Sequence, residues 1–317
     1  MHPFSLLLHQ SPVLLSPQTL WRAWNSEPAL LLTILLPAVL YAWGTTRCWR
    51  HAGMGHGVRW GQVSAFLGGM IALVAALLSP LDALSEALFS AHMVQHLLLL
   101  LVAPPLFVLA RPLVAWLWAL PPPQRRAVGG FWRDAEWPRR GWRLLTLPPL
   151  VWLLHTGLLW TWHTPLLYQA ALRHEYVHIL EHACFFGAAL LLWWAVLDPP
   201  GGPRGYGISI LAIFLTALQG GILGALLTFS PTLWYPIYAP LTAPWGLTPL
   251  ADQQLAGVVM WVPSGLVYLG AILGLFVAWL AAVERGVRLR ERTAQEGVTH
   301  MQLVCALPRD RAPVEGG

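Results

Sequence analysis

The chain has 317 residues, 56% of them hydrophobic and 10% charged, which is too little charge to cover a soluble globule of that length. All 19 basic residues are arginine, so the net charge of +5 reports where arginines sit, and with no basic stripe interleaved with aromatics it excludes a nucleic-acid partner. Cys48, Cys184 and Cys305 lie far apart with no CxxC or CxxxC pair; this excludes a disulfide framework, a thiolate zinc site and a thiolate copper relay, and leaves nitrogen as the metal donor.

Residues 1–27 lack a basic n-region, and their apolar run is broken by His9 and Pro12, so they read as an N-terminal segment without a cleavable leader. Seven apolar runs of about 20 residues follow, each long enough to cross a bilayer: 28–46, 61–79, 88–110, 146–163, 175–197, 207–228 and 254–283. Irregular backbone cannot be satisfied in lipid, so each is expected to be a helix and the fold all-α and polytopic, with a transmembrane domain over 28–283. Pro37, Pro104, Pro105, Pro148, Pro149 and Pro263 predict kinks or late helix starts. Gly220, Gly221 and Gly224, and Gly270 with Gly274, offer faces where helices can approach closely. The tail, 284–317, is polar after Arg292 and expected to be disordered.

Of the 19 arginines, 17 fall on alternate connections (47–59, 111–145, 198–206 and the tail), and only Arg22 and Arg173 fall on the others. Arginine-rich short loops stay in the cytoplasm, so the expected orientation is N-terminus out and C-terminus in, within a bacterial cell membrane.

Seven histidines then fall at similar depth. His92 and His96 open the third run; His155 and His163 lie eight residues apart on the fourth; His174, His178 and His182 descend the fifth. Spacings of four stack rings on one helical face, and eight residues of helix separate His155 from His163 by about 12 Å. Ionisable groups in a membrane are costly and mark sites or pathways. His92, His96, His155, His163, His178 and His182 are therefore expected to form a metal site, with His174 at a solvated helix end. Glu181 sits roughly 60° around the helix from His178, as a ligand or as an acceptor for a ring N–H. Asp252 opens the last run, as a helix cap or as a functional carboxylate. Met70, Met93 and Met260 would suit Cu(I), although scattered methionines in such helices are more often packing.

The segments HMVQHLLLLLVAPPL (92–106), WTWHTPLLYQAAL with YVHILEHACF (160–185), LTFSPTLWYPIYA (227–239) and WGLTPLADQQLAGVVMW (245–261) closely resemble the multi-span CtaG family of cytochrome c oxidase assembly factors, the seven-helix type associated with caa-type oxidases. The resemblance covers most of 28–283. It implies a membrane protein needed to build an active oxidase and acting at copper delivery, with the family's histidine motifs on His92, His96, His163, His178 and His182 and its acidic motif on Asp252. Expected partners are oxidase subunits, other copper chaperones and the lipid bilayer. The expected function is copper binding without catalytic turnover. Two rivals stay open: a zinc-dependent intramembrane hydrolase with Asp or Glu as base, and a bis-histidine haem protein.

Overall fold

The computed structural model describes residues 16–198 and 203–306, and among these every regular element is helical. In chain order they are α1 (Pro28–Ala52), α2 (Trp60–Leu77), α3 (Pro80–Ala87), α4 (Phe89–Leu97), a π turn (Leu98–Val102), α5 (Ala103–Ala110), α6 (Pro112–Ala119), α7 (Pro122–Asp134), α8 (Glu136–Leu145), α9 (Pro148–Trp162), α10 (Pro165–Arg173), α11 (Glu175–Leu197), α12 (Pro203–Phe229) and α13 (Pro249–Ala306). Proline begins many of them, where its missing N–H is no loss and its fixed φ suits the first turn.

Among the described residues six helices are long and apolar enough to cross a membrane: α1, α2, the continuous Phe89–Ala110 unit, α11, α12 and α13. A seventh is obtained if α8 and α9, bent by 60° against each other, count as one span. The fourth expected span is thus shorter than its apolar run. Pro148 and Pro149 delay its start, and the 15 residues of α9 cover about 22 Å against a hydrocarbon core of about 30 Å. The outward helix faces carry exposed Leu32, Leu36, Leu67, Ile71, Leu211, Phe214 and Leu266, the surface an integral membrane protein turns to lipid.

The connection 111–145, read from sequence as a loop, holds three helices. Arg111 adopts a left-handed conformation at φ 49°, since the following Pro112 disfavours the right-handed helical region and breaks the path between α5 and α6. Helix α6 then lies along α1. The Ala115 carbonyl sits where a Cβ on Gly44 would have to go, the Trp116 indole donates to the Pro37 carbonyl (3.1 Å) and the Arg47 guanidinium donates to the last carbonyl of α6, that of Ala119 (2.9 Å). Tyr41, stacked on Phe66 at 3.7 Å, completes this α1–α2–α6 cluster.

Helices α12 and α13 form an antiparallel hairpin. Gly224 faces the Gly257 carbonyl and Trp261, and Gly257 faces Thr228 and the Gly224 carbonyl, so a Cβ would collide with the Trp261 side chain at the first and with backbone at the second. Of the glycines expected to line close approaches only Gly224 does so; Gly220, Gly221, Gly270 and Gly274 have open space around their Cβ positions. Helix α13 continues to Ala306 through much of the segment expected to be disordered. Residues 1–15 of the N-terminal segment and 307–317 of the tail lie outside the described residues.

Between α4 and α5 the helix widens. Pro104 and Pro105 have no N–H for the carbonyls one turn back, and the chain absorbs this with the five-residue π turn that begins two residues after His96. The Leu100 carbonyl, left without its i+4 donor by Pro104, accepts instead from the Trp193 indole of α11 at 3.0 Å. One side-chain bond therefore both repairs the widened turn and ties α11 to the helix bearing His92 and His96.

Candidate functional site

Helices α4 and α11 face each other with His92 and His96 on one and His178, Glu181 and His182 on the other; His163, the residue closing α9, is the third side. Ring centroids are 4.3 Å apart for His92–His96, 4.2 Å for His178–His182, 5.4 Å for His92–His178, 5.5 Å for His96–His182 and 6.1 Å for His96–His163. His92, His96, His163 and Glu181 are buried, and His178 and His182 half-buried.

Two overlapping sets of donor atoms arise: His92, His96 and His182, and His92, His178 and Glu181, each with its ligand atoms within 4.8 Å of one another. The carboxylate oxygens of Glu181 lie 4.0 Å from Nε2 of His92 and 3.9 Å from Nε2 of His96. That is too long for a hydrogen bond. It does match the separation of about 3.3–4.3 Å between two ligands that each bind one ion at about 2.0–2.2 Å.

Nine buried atoms of this cluster have no protein partner: both ring nitrogens of His92 and His96, Nε2 of His163, His178 and His182, and both oxygens of Glu181. Stranding even one buried polar group costs about 1–3 kcal/mol; each neutral ring keeps one lone pair, and these lone pairs with the Glu181 oxygens form the two overlapping sets that could hold an ion. His163 shows how an orientation is set. Its Nδ1 lies 2.7 Å from the Leu159 carbonyl, an acceptor only, so Nδ1 carries the proton and the Nε2 lone pair faces the cluster.

Around this cage three tyrosines form a lid. Tyr238 donates to the Ser85 carbonyl (3.1 Å), its oxygen lies 2.9 Å from the Tyr168 hydroxyl, which therefore donates to it, and Tyr235 donates to the His163 carbonyl (2.7 Å). Tyr168 also packs against His92, centroids 5.1 Å apart. None of the three stood out from the sequence as a site residue. Their signal was a tyrosine near each helix-starting proline, Pro165 and Pro236, inside otherwise apolar segments.

The remaining expected residues fall elsewhere. His155 is buried on α9 but lines a cavity beside the cage rather than the cage itself. His174 is exposed at the N-cap of α11. Met93 packs in the core next to His92. Asp252 does not cap its own helix: it accepts from the backbone N–H of Phe89 (2.7 Å) and of Ser90 (3.1 Å) and from the Ser90 hydroxyl (2.5 Å). It therefore caps α4, the helix of His92 and His96, where a negative charge also suits the helix dipole. Gln95, unremarked in the sequence, anchors the same helix through its amide to the Ala76 carbonyl (2.8 Å) and to Asp82 (2.9 Å), which Asn25 also meets at 2.9 Å. Burial raises the Asp82 carboxyl above its ordinary pKa against the opposing pull of these two amides.

Comparison with known proteins adds the lineage. The chain is similar to uncharacterized proteins of Mycobacterium bovis and Mycobacterium tuberculosis, each 28% identical over 295 residues, covering 90% of this chain and 43% of the relative. It is also similar to one of Mycobacterium leprae, 26% identical over 290 residues, covering 84% of this chain and 41% of that relative. It thus spans less than half the length of the curated relatives it matches. No solved structure matches. The family model described as cytochrome c oxidase caa3 assembly factor matches residues 39–282, which takes in the whole histidine cage, and the chain belongs to that family.

Proposed function

We propose that the protein binds copper in the histidine cage and assists its insertion into a cytochrome c oxidase. The observation that carries this reading is the convergence of five imidazoles and one carboxylate, with nine buried donor atoms lacking protein partners, in a member of an oxidase assembly family. An all-imidazole set beside an imidazole–carboxylate set suits copper in preference to hard cations, which take oxygen ligands. With 17 of 19 arginines on alternate connections, the cage belongs in the extracytoplasmic half of a bacterial cell membrane. Its partners are then the oxidase subunit whose copper sites lie at that depth and the chaperones that supply the metal.

Glu181 beside a three-histidine set favours one further reading, zinc-dependent hydrolysis with that carboxylate as base. The close stacking of the rings, with Phe185 against His96 at 4.8 Å, speaks against a haem. The test is a strain lacking the protein: it should make oxidase polypeptides and haem, yet show low oxidase activity that added copper partly restores. His96→Ala, His163→Ala and His182→Ala should copy the deletion, and His174→Ala should not. Full oxidase activity with normal copper content in the His182→Ala strain would overturn the proposal.

A further inference from the structure

A cavity of about 40 Å³ adjoins the cage between α4, α9, α12 and α13, and His96 and His163 line it as well as the cage. Its other walls with donor atoms are His155, Met93 and Met260 and the hydroxyls of Thr216, Ser264 and Tyr268. His155 is 4% exposed, and its Nδ1 has no protein partner. Gln219 also lines the cavity; its amide carbonyl accepts the Trp160 indole N–H at 2.9 Å, and its NH₂ has no protein partner.

From this arrangement we infer a second metal position, softer than the cage, in which His155 with the thioethers of Met93 and Met260 takes Cu(I). This rests on the copper reading of the cage. The donor set decides the ion. Imidazole and thioether are neutral and polarisable, and such sites select Cu(I) over divalent metals. No carboxylate lines the cavity, so a divalent ion would bring two charges into a wall of leucines with nothing to balance them, whereas the cage has Glu181. The volume has room for an ion. Because His96 and His163 line both spaces, the two positions are neighbours that an ion can pass between, with copper remaining Cu(I) and no electron transferred.

The experiment uses the full chain purified in mild detergent, with Cys48, Cys184 and Cys305 replaced by alanine so that thiols do not compete. Ag(I) serves as the probe of stoichiometry and Cu(I) as the probe for X-ray absorption. The expected result is two Ag(I) per chain and sulfur scattering around copper. Met93→Leu with Met260→Leu, which conserve volume, should reduce this to one Ag(I) with nitrogen scattering alone. His92→Ala with His182→Ala should also leave one, now with sulfur retained. One Ag(I) in the parent, or two retained in the double leucine variant, would overturn the second position while leaving the cage standing. Absence of any bound Ag(I) or Cu(I) in the parent would overturn both.

Discussion

At the scale of single residues, the cage is aimed by groups that never touch its centre. Asp252 directs both oxygens to the first turn of α4, so its carboxylate serves the helix and does not ligate a metal in the cage. Replacing it by Asn keeps one acceptor for Ser90 but turns an NH₂ toward the Phe89 N–H, losing a charge-assisted bond of about 1.5–3 kcal/mol. Asp252→Asn should therefore lower the thermal unfolding temperature in detergent, while the folded fraction still binds copper with the parent stoichiometry. Unchanged stability with lost copper would show that the carboxylate acts on the metal instead. His163 works in the same indirect way, its own helix choosing which nitrogen points inward.

At the scale of helices, the π turn places His96. Without the widening between Leu98 and Val102, residues on either side would meet α11 in a different rotational register. Trp193→Phe keeps the bulk and removes the donor to the Leu100 carbonyl. It should cost about 1–3 kcal/mol and weaken copper binding although residue 193 lies far along α11 from His182, as competition against a calibrated chelator would show. Binding and stability equal to the parent would mean that the prolines alone shape the turn. This is also where sequence reading ran out. Long apolar runs announce spans, and histidines at intervals of four announce a face, so the cage was legible down to His92, His96, His178 and His182. The bond that ties the π turn to α11 comes from a donor 93 residues away, and the Asp252 cap joins a partner more than 160 residues away; no local pattern encodes either bond. Helix α6 was hidden because eight apolar residues are too few to register as a span.

At the scale of the whole molecule, the proposed function requires two things together: the histidine end facing the side where the oxidase takes up copper, and a cage that binds it. The arginine distribution makes the first a direct prediction. Reporters fused after Arg50, Arg140 or Arg292 should read cytoplasmic, and those after Ser85 or Ala243 extracytoplasmic; a cytoplasmic signal at Ala243 would turn the cage to the wrong face. The second is tested most directly by the copper content of the purified full chain after exposure to a competing chelator. The parent and His174→Ala should retain copper at a concentration of chelator that strips His92→Ala/His182→Ala, two ligands whose loss breaks the three-histidine set. Equal copper in the double variant and the parent would contradict the account.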